Sequence, residues 1–275
     1  MQRRNSILGI FAFLFAVVWL VIAAAPFVFQ IFTTFKTQGE FVSGSIFQLP
    51  EQLHFGNYAA VIQDGFDKYF FNSVIVLVIS LVLLLFFSAL AAYPLSRMQF
   101  KLNRPLFSII VAAMSIPIHI TLIPIFNMSL RMGMYDSVFA LIGPNVAFNL
   151  PVSIFILSGF MQNISKEMEE AAEIDGCGKI GTFFRIILPL SRPGLATLAI
   201  YNGVVIWNEF IFAATLTNAK AQTLPLAIWQ FQGQYSINIP MIMALLVLSS
   251  LPMILLYIFG QDKLVKGMMA GAVKG

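Results

Sequence analysis

Long apolar stretches separated by short polar segments dominate the sequence. Each stretch has the roughly 20 residues that a helix needs to cross the bilayer core, and the period-two alternation of a membrane β-strand is absent. The six stretches lie at about 7–32, 71–95, 106–129, 138–160, 195–216 and 241–260. This pattern predicts an all-α integral membrane protein with six transmembrane helices. Prolines within or near the stretches predict broken helices or static kinks, and they are Pro117, Pro124, Pro144, Pro151 and Pro252.

Composition places the chain in the same class. Hydrophobic residues make up 59% of the chain and charged residues 10%, with a mean hydropathy of +0.87. These values lie far outside the range of soluble proteins. A polar insert at about 161–194 and a tail at 261–275 are the main departures from the apolar pattern, so we expect one membrane domain over 1–275.

Lys and Arg residues predict the orientation, because they prefer cytoplasmic loops. With the N-terminus inside, the four Lys and Arg residues outside are Lys36, Lys68, Arg131 and Lys220. The other 12 of the 16 lie inside: Arg3, Arg4, Arg97, Lys101, Arg104, Lys166, Lys179, Arg185, Arg192, Lys263, Lys266 and Lys274. Both termini are therefore expected in the cytoplasm. The net charge of +4 then reflects topology and anionic lipid rather than nucleic-acid binding.

The first stretch has an alternative interpretation as a cleaved signal peptide. Arg3 and Arg4 precede it and small residues follow. However, it stays apolar from Ile7 to Phe29, beyond the usual signal core of about 7–15 residues. We therefore expect a retained helix.

The insert reads as two short helices with a hinge. Ser165 can cap the first helix, and Gly176 can end it in the left-handed conformation. The helix dipole favours acidic residues in the first turns, and those present are Glu167, Glu169 and Glu170. A narrow face of Met168, Ala171 and Ala172 is low enough for another protein's backbone to approach, with the acidic residues beside it for basic partners.

The second helix of the insert has an amphipathic pattern ended by Pro189. Its apolar positions follow i, i+3, i+4, i+7, i+8 spacing and are Ile180, Phe183, Phe184, Ile187 and Leu188. The opposite side carries Lys179, Thr182 and Arg185. Such a helix beside a membrane can lie on the lipid surface or against a partner protein, and its periodicity fits both.

A longer run of residues in the insert resembles the EAA signature of ABC-importer permeases. The matching positions are Glu170-Ala171-Ala172, Asp175-Gly176, Phe183, Ile186, Leu188-Pro189 and Pro193, with Cys177 where the family usually has Ala. The resemblance implies a cytoplasmic coupling helix between the fourth and fifth spans. The residues it assigns to ATPase coupling are Glu170, Ala171, Ala172, Asp175, Gly176, Phe183, Ile186, Leu188 and Pro189. Bulk at Ala172 or Gly176 would then uncouple ATP hydrolysis from uptake.

Further segments resemble the maltose-type carbohydrate permeases. They are Trp207-Asn208-Glu209-Phe210, Thr223-Leu224-Pro225 and the tail from Gly267 to Gly275. The resemblance implies a bacterial or archaeal cytoplasmic membrane, a second homologous permease, two copies of an ATPase, an external solute-binding protein and a carbohydrate substrate. It also implies that the tail reaches the ATPase interface through Gly271, Ala272, Val273, Lys274 and Gly275. The spans carry no cluster of cationic residues, which favours a neutral sugar.

The chain lacks its own nucleotide site, so its energy must come from elsewhere. Gly178-Lys179 is the nearest approach to a phosphate-binding loop, but Glu173 stands at the position of the first glycine and Ile180 at that of the hydroxyl residue. We expect no cofactor on this chain, with ATP and Mg bound by the partner ATPases. Paired acids, nucleophile–base pairs and metal clusters are also missing, and His54 and His119 stand alone, so neither an enzyme nor a metal site is predicted.

Polar residues inside the spans are candidates for the pathway or a gate, and they are Asn149, Asn202, Asn208 and Glu209. A lone carboxylate at Glu209 needs a hydrogen bond or water. We expect Asn208, Asn202 or a partner subunit to supply it, while a sugar contact or a gate stays possible. The competing hypothesis is an ion-coupled carrier or channel without an ATPase. The single carboxylate and the missing internal repeat weigh against it.

Overall fold

The computed structural model describes residues 2–231 and 238–272 and the side chains of 9–229, 231 and 238–261, and the regular structure of that part is helical. The first half contains α1 (Gln2–Thr33), α2 (Gln38–Ser43), α3 (Gly56–Gln63), α4 (Phe66–Arg97), α5 (Asn103–Ala113), a 3-10 turn (Ile118–Thr121), α6 (Leu122–Arg131) and α7 (Val138–Gln162). The second half contains α8 (Glu167–Ile174), α9 (Lys179–Thr182), a π-helical turn (Phe183–Ile187), α10 (Leu188–Leu190), α11 (Arg192–Trp207), α12 (Ile211–Leu216), α13 (Leu224–Gln230) and α14 (Ile239–Ala272).

Four helical segments in this part of the chain are long and apolar enough to cross a membrane. They are Gly9–Thr33, Phe66–Arg97, Val138–Gln162 and Ile239–Gln261. Two bent pairs raise the number to six if each pair counts as one span. The bend is 92° between Asn103–Ala113 and Ile118–Arg131, and 68° between Lys179–Leu190 and Arg192–Trp207. The chain is thus an all-α membrane protein.

The third apolar stretch, predicted as one span at about 106–129, is broken. Its α-helices are separated by residues 114–117 and the 3-10 turn. Pro117 has an extended backbone, with φ −67° and ψ 128°, and precedes that turn. Proline lacks an N–H and restricts the residue before it, which favours a break at this position. Proline alone does not decide the outcome, because α7 continues through Pro144 and Pro151 and α14 through Pro252.

The fifth stretch, predicted as one span at about 195–216, is also interrupted. Helix α11 ends at Trp207 and α12 begins at Ile211. Pro189, in contrast, does not end the insert's second helix, which runs on to Leu190. Pro193 lies in the first turn of α11, where the missing N–H leaves no intrahelical bond unmade.

The described chain divides into two compact units. The first contains residues up to Asp67 and Ala227–Leu251, and the second contains Lys68–Leu226 and the chain from Pro252 onward. A single permease domain over 1–275 stays a prediction.

In the first unit, Asn57 holds the segment after α1. Its Nδ2 donates to the carbonyls of Thr34 and Lys36 at 2.7 and 2.8 Å, and the Tyr58 hydroxyl is 2.9 Å from Thr34 Oγ1. None of the side chains in the most apolar window of α1 is buried. This helix therefore needs lipid or another chain around it.

In the second unit, α4 carries a row of buried small residues, which are Ser73, Ser80, Ser88 and Ala92. One apolar cluster joins α4, α7 and α12 and includes Leu84, Leu141, Phe212 and Leu216. A second cluster joins α4, α7, α11 and the π-helical turn and includes Ala92, Leu157, Met161, Phe183, Ile187 and Leu198. The second cluster positions the insert.

Candidate functional site

Both ends of α8 are formed by the residues that the sequence indicates. The Ser165 hydroxyl accepts a hydrogen bond from the Glu167 N–H at 3.3 Å. At the other end, Gly176 has φ +80°, its N–H donates to the Glu173 carbonyl at 3.1 Å, and the Cys177 N–H donates to the Ala172 carbonyl at 2.8 Å. This pair of bonds is a Schellman motif, which turns the chain sharply after the helix.

The face of α8 that turns outward differs from the predicted face of Met168, Ala171 and Ala172. Ala172 is 3% exposed and packs inside the chain, while Ala171 is exposed. Adjacent helix residues are about 100° apart, so the two alanines cannot share one contact. Met168 is 45% exposed, so two residues of the predicted face are open and only Ala172 is buried. We give the name α8 outer surface to three of the exposed residues of this helix, Glu170, Ala171 and Ile174, and Ile174 is 86% exposed.

Glu169 also points inward, contrary to the expectation that it flanks a docking face for a basic partner. Its carboxylate pairs with Arg97 Nε, and the two side chains are 15% and 4% exposed. In the sequence, Arg97 contributes only to the predicted topology. No local pattern predicts this ion pair, since the two residues lie 72 positions apart.

The second helix of the insert is rotated by its π-helical turn. Phe183 and Ile187 are 4% and 0% exposed, and Ile180 is 77% exposed although the pattern places it on the same face. Thr182, predicted on the polar side, is buried and donates its hydroxyl to the Gly178 carbonyl at 3.2 Å. A π turn adds a residue to the helical repeat, so positions before and after it no longer share a face.

The remaining EAA residues lie at several depths. Asp175 and Gly176 are exposed, whereas Ile186, Leu188 and Pro189 are half-buried. Phe183 packs on Tyr93 of α4, with ring centroids 5.1 Å apart. The signature therefore contains an outward part in α8 and an inward part that holds the insert on the membrane helices.

Glu209 lies in the break between α11 and α12 and is bonded by the backbone. Its Oε1 accepts from the Phe212 N–H at 2.6 Å and its Oε2 from the Ala213 N–H at 3.2 Å. These are amides of the first turn of α12, which have no intrahelical acceptor. The expectation that Asn202 or Asn208 pairs with this carboxylate is wrong, because both amides donate elsewhere.

The three asparagines named for the pathway make helix contacts. Asn202 is fully buried, and its Nδ2 donates to Ser153 Oγ on α7 and to the Leu198 carbonyl, each at 3.0 Å. Asn149 donates to the Asn145 carbonyl at 2.8 Å, and Asn208 donates to the Val204 carbonyl at 2.8 Å. Asn202 thus ties α11 to α7, and a pathway role for these residues stays a prediction.

Of the tail residues, Gly271 and Ala272 end α14, in a part where side chains are not described, and Val273, Lys274 and Gly275 lie outside the described residues.

A second anchored site on the chain involves Asp136 and the segment 217–223. Asp136 has φ +58°, and its carboxylate accepts from the backbone N–H groups of Asn218, Ala219, Lys220 and Ala221 at 2.9 to 3.2 Å. Burial raises the pKa of Asp136, but these four donors outweigh it and hold the pKa below its ordinary value of 3.8. The sequence analysis missed this residue, although an aspartate among turn formers is a signal for such a loop.

The same segment is also fixed by α4. Asn72 Nδ2 donates to the carbonyls of Lys220 and Gln222 at 3.0 and 2.9 Å, and Ser73 Oγ accepts from the Leu224 N–H at 2.9 Å. The segment 217–223 contains Lys220 and is therefore predicted to lie outside. Bonds to Asp136 and α4 hold it in a fixed conformation up to the start of α13.

The chain is similar in sequence to known membrane transport proteins. Residues 84–269 match the family described as binding-protein-dependent transport system inner membrane component. The chain is 54% identical to the putative ABC transporter permease protein ORF2 of Caldicellulosiruptor sp. over 264 residues, which cover 96% of each chain. It is 33% identical over 281 residues to the trehalose/maltose transport system permease protein MalG of Thermococcus litoralis, covering both chains fully. It is 36% identical to the melibiose/raffinose/stachyose import permease protein MelC of Bacillus subtilis, covering 91% of each.

A solved structure has the same fold. A chain of a bacterial ABC transporter that imports alginate superposes with a TM-score of 0.83 at 23% identity, covering 94% of this chain and 97% of that one. The family match extends over most of the chain, and relatives above 30% identity cover nearly all of it. The chain therefore belongs to the binding-protein-dependent transport system inner membrane components, and it is a multi-pass permease subunit of an ABC importer rather than an enzyme.

Proposed function

We propose that this chain and a second homologous permease form the membrane pathway of an ATP-driven importer for a neutral sugar or oligosaccharide. An external solute-binding protein delivers the sugar, and two copies of a cytoplasmic ATPase supply the energy. The sugar class is supported by relatives named for trehalose and maltose, for melibiose, raffinose and stachyose, and for diacetylchitobiose. The second permease is supported by α1, whose apolar window buries no side chain within its own chain.

The observation that carries the proposal is the exposed Ile174 on a polar segment between spans. Ile174 is 86% exposed, and Glu170 and Asp175 beside it are exposed acids. Met168 on the same helix is also exposed, and together these side chains leave apolar surface among charged residues that a protein partner can cover. We assign the α8 outer surface to the ATPase, together with the tail residues 271–275.

The alternative of a helix lying on lipid loses part of its support, although Ile180 and Phe184 of the same predicted face stay exposed. Phe183 and Ile187, which would enter the lipid surface, are buried in the chain's own core. The segment is therefore held by the membrane helices on one side and is open on the other. This is the arrangement that a coupling element requires.

In the proposed mechanism, ATP and Mg²⁺ bind to the ATPase subunits, whose closure moves α8. The insert joins α7 directly to α11, so its movement acts on two helices that are tied to each other by Asn202 and Ser153. The pathway then alternates between inward-facing and outward-facing states. Both termini lie in the cytoplasm, and the segment anchored by Asp136 lies outside, where the binding protein docks.

Cross-linking in intact cells tests the docking assignment. We expect Ile174→Cys, in a Cys177→Ser background, to cross-link to an ATPase subunit. The matched control is Phe47→Cys. Phe47 is 87% exposed and lies between Lys36 and Lys68, which are both predicted to lie outside, so this cysteine should not reach the ATPase. Cross-links from Ile174→Cys to phospholipid alone would refute the assignment.

Co-purification from detergent separates the importer from the ion-coupled carrier. The importer should retain a second permease and an ATPase pair, whereas a lone chain that moves substrate down an ion gradient would favour the carrier. Binding of glycans of graded length to the cognate external binding protein then identifies the sugar.

A further inference from the structure

Arg97 is a buried cation at the end of α4, and it bonds α8 and the end of α7. Its Nε donates to the Glu169 carboxylate on α8. Its Nη1 donates to the carbonyls of Met161 and Ile164 at 3.2 and 2.7 Å, at the end of α7. The side chain is 4% exposed, and a buried charge is tolerated only when its donors are paired in this way.

The chemistry of the site requires an arginine. A guanidinium presents five N–H donors in a rigid plane, so it can bond a carboxylate and two carbonyls in fixed directions at once. The free carbonyls at a helix C-terminus carry partial negative charge and favour a cation there. Arg97 therefore fixes both the distance and the angle between α7 and α8.

A second contact from α4 lies one turn earlier. Tyr93 is 5% exposed and packs on Phe183 of the π-helical turn. Tyr93 and Arg97 are four residues apart and thus share a face of α4. The last two turns of α4 consequently hold both halves of the insert.

We infer that Arg97 and Glu169 are a positioning pair that passes movement of α8 to α4 and α7. The inference rests on the proposed function, because it requires an ATPase to move α8. The two sides of α8 differ: Glu170, Ala171 and Ile174 are exposed and face the ATPase, whereas Ala172 is buried and Glu169 bonds Arg97 of α4. The buried contact of Ala172 opposes movement of α8 toward the residues it packs on. The ion pair is a directional bond, so it also opposes movement of α8 away from α4 or along it.

An internal control lies on the same helix. Glu173 pairs with Lys179, and these side chains are 47% and 59% exposed. Exposed ion pairs of this kind contribute little to structure. Glu169→Gln and Glu173→Gln remove the same charge from the same helix, and only the first turns a buried ion pair with α4 into a weaker, neutral hydrogen bond.

Hydrogen–deuterium exchange of the assembled importer in lipid nanodiscs tests the inference, with ATP and vanadate as the probe. In the wild type, the nucleotide should change exchange in residues 167–174 and in residues 93–103 at the end of α4. In Glu169→Gln, the change in 167–174 should remain, and the change in 93–103 should shrink at least about fivefold, the lower end of typical coupling between sites. Glu173→Gln should behave as the wild type.

The outcomes separate this inference from the proposed function. A wild-type change in 93–103 for Glu169→Gln would overturn the positioning role. A wild-type complex with no nucleotide-dependent change in 167–174 would instead count against ATPase docking on α8. If Glu169→Gln does not assemble, Arg97→Lys replaces it, because lysine keeps the charge but not the planar fork, and a full wild-type response in that variant would also overturn the inference.

Discussion

Glu209 is an acidic side chain in an apolar stretch, and the backbone itself supplies its partners. Its carboxylate accepts the Phe212 and Ala213 amides and so begins α12 after the break. The residue therefore has a structural role in the described chain, and a direct sugar contact is not needed to account for it. The acid and the break depend on each other, since an unbroken helix would leave these amides bonded within the helix.

Replacing Glu209 by Ala should destabilise the protein by about 1–2 kcal/mol, because first-turn amides of α12 lose their acceptor. Asn208→Ala is the matched control, because its amide only donates to a carbonyl of its own helix. Thermal unfolding in detergent measures both. Equal melting temperatures for the two variants would contradict the capping role.

Asp136→Asn should loosen the segment 218–221, because a neutral amide is a weaker acceptor for four backbone donors than a carboxylate. We expect a loss of about 1.5 kcal/mol, the low end for bonds to a charged group, since the site is partly exposed. Proteolysis of this segment in intact cells or membranes reports the change. Asp64→Asn is the control. Asp64 lies between Lys36 and Lys68, in a different segment predicted to lie outside, so this substitution should leave cleavage of 218–221 unchanged.

The wild-type segment should also respond to acid. The pKa of Asp136 is lowered in the folded chain, so its contribution is fully present above the ordinary value of 3.8 and is lost as the pH falls through the lowered native value. Proteolytic sensitivity of 218–221 should therefore rise only in strong acid. Asp136→Asn should remove this acid-dependent increase. If the variant keeps the wild-type pH profile of proteolysis, the Asp136 carboxylate is not the group that responds to acid.

At the scale of elements, α8 is a short helix with two different sides. Its inward side is seated on α4 and on the π-helical turn, and its outward side carries exposed apolar and acidic groups. This division makes neighbouring residues of the EAA signature differ in role. Ala171 and Ala172 show the difference most directly, since one is exposed and the other is 3% exposed.

Ala172→Leu should lower the stability of the permease by about 1–3 kcal/mol, because extra methyl groups overpack a buried contact. Ala171→Leu should stay within about 0.5 kcal/mol of the wild type but should reduce the amount of ATPase that co-purifies. Unfolding midpoints and subunit ratios measure the two effects. A loss of stability from Ala171→Leu alone would reverse the assignment of the two faces.

Gly176→Ala should destabilise the end of α8 by about 1–2 kcal/mol, because a side chain is strained at φ +80°. Gly178 lies two residues later with φ −71°, and an added Cβ meets nothing within 4 Å at either position. Gly178 is also the N-cap of α9, where Ala is less favourable than Gly, so the gain from a stiffer unfolded chain is offset and Gly178→Ala should stay within about 0.5 kcal/mol of the wild type. Similar unfolding midpoints for the two variants would exclude backbone conformation as the cause.

At the scale of the whole molecule, the charge distribution predicts which segments face the cytoplasm. The orientation can be tested with a membrane-impermeant maleimide in a Cys177→Ser background. Phe47→Cys should react from outside, and Ile174→Cys should react only after the membrane is opened. Reaction of Ile174→Cys from outside would invert the topology and remove the basis for ATPase docking on α8.

Much of the architecture was predictable because it depends on local composition. The apolar stretches, the break at Pro117 and the left-handed Gly176 each follow from residues within a few positions of one another, since bilayer thickness, proline and glycine act locally. The break at Glu209 was not predicted, because a carboxylate can be paired by many groups and only the folded backbone shows which one is used.

Sequence alone determined that this chain is a helical membrane protein with an acidic, alanine-bearing insert between two spans. The tertiary structure alone decided which side of the insert is free. Arg97 and Glu169 lie 72 positions apart, and the bond between them helps to decide which side of α8 faces α4. Helical periodicity shows which residues share a face, but the direction of that face depends on long-range packing and on the π-helical turn at Phe183–Ile187, which shifts the period itself.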